Sequence, residues 1–359
     1  MPVGQRPPRF DLLVISGFIR PWVLLRGLQL GLPSRSRWTT ALMMTCSGLV
    51  VEPLAWLQSL LIRHQLRARR LPPDPIVVIG HWRSGTTYLH QLLASDPAAA
   101  TVRNSLMVAP QVGILLRPLI ALLLSRLMSA IRPIDAVAWG PDDPQEDELC
   151  IAKLTIDTNM AGVAFPLNYL VHFRRSVLTT TRRFERVWLY VAQLTWLQNG
   201  AGRSHLLIKN SAHTARVPMV LKHCPKARFI VLKREPIDSI RSLVQVKQRM
   251  AALVGLQPPP TQITQVEETV TAYRELMQAF EASRHLIPTG QLIEVSYPDL
   301  VQQPFDVVKG IYEAFGLLSW NKAQAHIRQR IEQSSTYQAD PVVLAPPAEQ
   351  RLRELLGVE

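Results

Sequence analysis

Four consecutive β-branched residues, Ile76-Val77-Val78-Ile79, run directly into Gly80-His81-Trp82-Arg83-Ser84-Gly85-Thr86-Thr87. An apolar run without polar alternation belongs to a strand covered on both faces, as in the middle of a parallel sheet. A helical pattern follows from Ser84 to Ser95, with Leu89, Leu92 and Leu93 on one face and Asp96-Pro97 as its stop. Strand, turn and helix in this order make an anion site. The unpaired N–H groups of the helix start and the positive end of its dipole converge on the turn, and Gly85 permits close backbone approach. Similar runs recur at Leu206-Leu207-Ile208, Phe229-Ile230-Val231-Leu232 and Leu292-Ile293-Glu294-Val295, each before a polar turn and a helical stretch. Between the last two, Val266, Val270, Tyr273, Met277 and Phe280 mark one face of an amphipathic helix. The pattern predicts an α/β fold, with a central parallel sheet flanked by helices and a ligand site beyond the carboxyl ends of the strands.

The 359 residues are 47% hydrophobic, enough for a sizeable core, and exclude disordered, collagen-like and coiled-coil classes. Forty Lys and Arg against 27 Asp and Glu leave a net charge of +13, which points to an anionic partner. Nucleic acid fits poorly, because the basic residues are dispersed and no recognition helix or aromatic RNA-binding motif is present. Three widely spaced cysteines, Cys46, Cys150 and Cys224, support neither a disulfide framework nor a zinc site, so a cytoplasmic, reducing setting is expected. The apolar stretches Trp38–Ile62 and Leu106–Ile131 are interrupted by charges and read as core helices, with helices lying on a bilayer as the alternative and hence membrane association as the alternative setting. No signal peptide is evident.

The spacing G-x-x-x-x-G-T-T matches the phosphate-binding loop G-x-x-x-x-G-K-[ST], with Thr86 where the lysine belongs. A nucleoside triphosphatase needs that lysine and an acid on a neighbouring strand for magnesium; here Phe229–Leu232 ends in Lys233-Arg234. The loop is therefore suited to a 5′-phosphate and poorly equipped for Mg-triphosphate hydrolysis. Arg83-Ser84-Gly85-Thr86-Thr87-Tyr88 resembles the 5′-phosphosulfate loop of the sulfotransferase superfamily. Arg234 and Ser242, eight residues apart after a second buried strand, are similar to its 3′-phosphate motif. Pro144-Gln145-Glu146-Asp147-Glu148, the block Lys209 to His213 and Ser296-Tyr297-Pro298-Asp299-Leu300 look like recurring blocks of the bacterial branch.

The resemblance implies a three-layer P-loop-like fold, 3′-phosphoadenosine 5′-phosphosulfate as co-substrate, no metal, and transfer of a sulfonyl group to a hydroxyl or amine. Its acceptor would be a small molecule or a lipid or glycan. The resemblance covers about Pro75 to Leu317. With the helical pattern that ends at Pro72-Pro73 and the loop at Asp340–Pro347, the chain divides into an N-terminal helical extension at 1–73, the α/β domain at 74–335 with a largely helical acceptor-pocket insertion at 105–202, and a C-terminal tail at 336–359 expected to be weakly packed.

By the same resemblance, Arg83, Ser84, Gly85, Thr86 and Thr87 hold the 5′ end of the donor. Arg234 and Ser242 hold its 3′-phosphate, and Tyr88 stands where relatives set an aromatic against adenine, a core tyrosine being the alternative. Sulfuryl transfer puts charge on the leaving phosphate, so positioned cations are needed, and Arg83 and Lys209 are the candidates. The acceptor must lose a proton, and His213 is the chosen base. The pattern departs from the family in that Asn210 replaces a usual serine or threonine. Glu146 is the competing base or the group that orients His213; the acidic cluster around it also reads as a solvated helix start. His81, His172, His205 and His223 show no partner pattern. The insertion's aromatics, Trp139, Phe165, Tyr169, Trp188 and Trp196, are either pocket or core. The rival functions are a phosphate-loop kinase or hydrolase and a non-catalytic, membrane-peripheral protein.

Overall fold

The computed structural model describes residues 9–130, 132–133, 139–335 and 342–358. Five parallel strands form one sheet: β1 (Ile76–Ile79), β2 (Ala99–Ala100), β3 (His205–Lys209), β4 (Arg228–Lys233) and β5 (Leu292–Ser296), in the order β2-β3-β1-β4-β5. The continuous apolar run of β1 is explained by its place at the centre, where Val77 pairs with Ile208 on one side and Phe229 on the other. Alternate residues feed two separate cores. Val77 and Ile79 join Leu206, Ile208, Phe229 and Val231 under one helical layer, which includes Phe184, Trp188 and Phe280. Ile76 and Val78 join Leu207, Ile230 and Leu232 under the other, against Leu89, Leu92, Val308, Ile311 and Ile327. Helices on both faces of a parallel sheet are the expected three layers.

The N-terminal extension consists of α1 (Arg9–Ser16), α2 (Pro21–Gly27) and α3 (Trp38–Ala68). Lys153 ties α1 to the domain: its buried ammonium donates to the carbonyls of Ile15 and Gly17 at 2.8 Å, satisfying groups that a helix end leaves open. Burial lowers the pKa of that amine to about 7. α4 (Thr86–Ala94), with Gly85 as its N-cap, starts two residues after the Ser84 start that the sequence pattern predicts. β2 was not legible, since two alanines carry no strand pattern.

One expectation is overturned. Beyond the undescribed residues 336–341, the chain's C-terminal part is firmly packed. Leu344, Ala348 and Leu352, the last two in the helix Pro346–Leu356, are buried against Ile240, Val244, Val266 and Val270. Arg241 holds Glu349 at 2.5 Å. The amphipathic spacing of Ala348 and Leu352, with Pro346 in the first turn of the helix, was the signal available in the sequence.

Candidate active site

The turn after β1 and the turn after β4 meet. Gly80 lies at φ +129° and Gly85 at φ +96°, backbone conformations open to glycine and costly for other residues. A Cβ on Gly85 would stand 2.5 Å from the Tyr297 ring, and one on Gly80 would stand 2.5 Å from the Leu232 carbonyl oxygen of β4, so both glycines are also fixed by close approach. Arg83 sits in the left-handed region at φ +67°, an uncommon place for a side-chain-bearing residue. Its carbonyl accepts from Arg234 Nη1 at 2.9 Å, and its own Nε donates to Ser242 Oγ at 3.0 Å. The Arg234 guanidinium lies 4.4 Å from the centre of the Tyr297 ring, and its Nε is buried without a hydrogen-bond partner among the described residues. The structure thus brings Arg83, Gly85, Arg234 and Ser242 to one crevice.

Within the loop, Ser84 is buried and its hydroxyl donates to the His81 carbonyl at 2.7 Å. Thr86 is buried, Thr87 half-exposed, and Tyr88 half-buried against the second core. The loop is braced from two sides: Gly80 N donates to Thr214 Oγ1 at 2.8 Å, and His81 Nδ1 lies 3.2 Å from Ser239 Oγ on the helix Pro236–Val254. Burial lowers the His81 pKa to about 3, so the ring is neutral near neutral pH. One turn beyond Tyr88, a cavity of about 180 Å³ opens between α4 and the helix Trp320–Ser334, with Arg103, Asp143 and Arg330 in its wall.

At the end of β3, Lys209 Nζ meets Glu146 Oε2 at 2.5 Å, with the Glu146 side chain 15% exposed. Lys209 pairs in register with Val78 of β1, two residues before the loop. His213 is placed differently. It is wholly buried, its Nε2 is 3.1 Å from Asp147 Oδ2, its Nδ1 is 3.3 Å from Arg216 Nη1, and its ring meets Trp188 and Phe184 edge-on. Both ring nitrogens are engaged and the ring has no exposed edge. Glu146 does not orient it; Asp147 does.

Within the acidic cluster, Asp147 and Glu148 are buried rather than a solvated helix start. Glu148 is buried and takes hydrogen bonds from Arg216 at 2.9 Å, Asn210 at 2.7 Å, Thr158 at 2.8 Å and the Asn159 N–H. Burial alone would raise its pKa, but Arg216 and the other donors outweigh it and bring the value to about 2. Asn210 also donates to Asp147 at 2.7 Å. This fused cluster, Asp147, Glu148, Asn210, His213 and Arg216, was not found from the sequence; its one trace was the departure at Asn210. The insertion's aromatics resolve toward core: Trp139, Phe165, Tyr169 and Trp188 are buried. Trp82, half-buried in the loop, reaches the insertion through an edge-to-face contact with Phe173 at 6.4 Å.

Parallel strands whose ends carry a glycine loop, an arginine turn and a lysine–carboxylate pair form an α/β protein with its candidate site at the carboxyl edge of the sheet. Residues 75–322 match the sulfotransferase family model, and the chain belongs to that family. It is 24% identical over 310 residues, 85% of this chain and 79% of the relative, to the omega-hydroxy-beta-dihydromenaquinone-9 sulfotransferase Stf3 of Mycobacterium bovis and of Mycobacterium tuberculosis. In structure it is similar to the sulfotransferase STF9 from Mycobacterium avium, with TM-score 0.64, 17% identity, and coverage of 97% of this chain and 87% of that one. It is likewise similar to STF1 from Mycobacterium tuberculosis, with TM-score 0.62, 17% identity, and coverage of 92% and 90%. The α/β fold, with its central parallel sheet, is thus that of solved sulfotransferases.

Proposed function

We propose that the crevice binds 3′-phosphoadenosine 5′-phosphosulfate and transfers its sulfonyl group to a hydroxyl of an apolar, lipid-like acceptor. The observation that carries this is the meeting of the two turns, with Arg234 on the Arg83 carbonyl and Arg83 on Ser242. The residues fit a nucleotide with phosphates at both ends. Arg234 Nε is a buried donor without a partner among the described residues, suited to a 3′-phosphate beside Ser242, and Gly85 and the N–H groups opening α4 suit the 5′-phosphate. The donor supplies the activated sulfonyl group; the protein supplies charge and a base.

In this scheme Arg83 and Lys209 lie against charge that grows on the leaving 5′-phosphate and the transferring oxygens. Glu146 takes the acceptor proton as the acceptor oxygen bonds to sulfur and the bond from sulfur to the 5′-phosphate oxygen breaks. An ammonium has three donors, so Lys209 can hold Glu146 in place with one and direct the others to the sulfonyl oxygens. His213 and Asp147 then serve as positioning groups, locking the segment that carries Lys209 against the one that carries Glu146. Support for a lipid acceptor comes from the relative that acts on a hydroxylated dihydromenaquinone. Titration calorimetry decides the donor: adenosine 3′,5′-bisphosphate is expected to bind without magnesium and Arg234→Ala to weaken it strongly. Binding of Mg-ATP alone would overturn the assignment in favour of a phosphate-loop kinase.

A further inference from the structure

α3 is apolar on two opposite sides. Met44, Gly48, Val51, Ala55, Gln58 and Ile62 recur at steps of four and three residues and are buried against the rest of the protein. On the other side Leu49, Val50, Trp56, Leu57, Leu60 and Leu61 face outward, Trp56 at 68% and Val50 at 75% exposure. The helix Arg117–Leu127 adds exposed Leu119, Leu122, Leu123 and Leu127. The two helices are neighbours: Gln58 Oε1 accepts from the N–H groups of Ile114 and Leu115 at 2.9 Å, and Ile62 shares a core with Ile120 and Leu124. Exposed apolar residues scattered singly need no explanation, whereas a run of them on adjacent helices marks a surface that is covered in use.

Charge identifies what covers it. From position 12 to 73 the sequence has eight arginines, concentrated in Arg35–Arg37 before α3 and Arg63–Arg70 at its end, and one acid, Glu52. Glu52 is already paired with Arg20 at 2.5 Å. From 104 to 133 there are three arginines, Arg117, Arg126 and Arg132, and no acid. A second copy of this chain would bring arginine-rich ends together, while an anionic surface complements them and lets arginine stems lie along the apolar boundary. We propose that this face docks on an anionic lipid bilayer, with α3 lying along the interface. The helix is long and apolar enough to cross a bilayer, but its buried stripe, six residues spread from Met44 to Ile62, holds it against the protein and favours lying along the interface. An outward apolar face with basic ends is the arrangement of an interfacial helix.

Sulfuryl transfer has no part in this docking, so its test needs no donor. The full chain is sedimented with phosphatidylcholine vesicles with and without phosphatidylglycerol. Cys46, exposed on α3 while Cys150 and Cys224 are buried, carries an environment-sensitive dye. The protein is expected to co-sediment with the anionic vesicles, to be released by salt, and to show a blue shift of the dye on binding. Leu57→Glu with Leu60→Glu should lower the bound fraction about tenfold or more while leaving far-UV circular dichroism unchanged. Arg67→Glu with Arg70→Glu, at the exposed end of the helix, should act on anionic vesicles selectively. Protein left in the supernatant with both vesicle types overturns the proposal. So does a solution dimer that Leu57→Glu dissociates, since the face would then join two copies.

Discussion

Glu146 and Glu148 stand two residues apart at the start of one short helix, yet they live in different chemical worlds. Glu146 pairs with Lys209 at the end of β3 and keeps some contact with water. Glu148 is sealed in, with a guanidinium, two side-chain donors and a backbone N–H to satisfy it. The difference teaches that charge type says little by itself. A carboxylate with spare lone pairs and access can take a proton, while one whose oxygens are all occupied holds segments together.

The contrast can be broken experimentally, and the largest effect is expected at the sealed end. Glu148→Gln leaves Arg216 buried without its counter-ion and should cost about 3–5 kcal/mol, read from urea unfolding. Next is the open end: Glu146→Gln should lower turnover about a hundredfold or more with the melting temperature unchanged, read by steady-state assay with labelled donor. Lys209→Ala should behave in the same way. His213→Gln comes third, with about 1–3 kcal/mol of stability lost and turnover per folded molecule retained. If it instead abolishes turnover while melting normally, His213 is the base and Glu146 is not.

A pH dependence sharpens the same contrast. The native pKa of Glu148 lies at about 2, below its ordinary 4.5, so its contribution is complete above about pH 4.5 and is lost as pH falls toward 2. Acid titration of the wild type and Glu148→Gln should therefore converge over that window. His81 acts in the same direction higher up: with its native pKa depressed to about 3 from 6.5, stability declines as pH falls below 6.5, because the unfolded ring takes a proton that the buried ring refuses.

Much of this fold could be read from the chain because its determinants are local. Ile76–Ile79 announces a central strand, and the glycines at 80 and 85 and the pair Arg234 and Ser242 each lie within one turn of the element that positions them. The sealed cluster could not be read, because Asn210 and Arg216 meet Asp147 and Glu148 across more than 60 residues of intervening sequence. Burial distinguishes a catalytic candidate from a structural one, and burial is set by the partners a segment finds. The same lesson applies to His213, whose place in the block after Lys209 was visible but whose enclosure by Phe184, Trp188 and Arg216 was not.

The helix Pro346–Leu356 rests on Ile240 and Val244, in the helix that also bears Ser239 and Ser242. The last residues of the chain thus serve as a rear buttress for the arginine turn. A protease that clipped the chain ahead of Leu344 would strip cover from four valine and isoleucine side chains and leave Arg241 with Asp238 as its ion-pair partner in place of two, loosening the front of the crevice from behind without touching it.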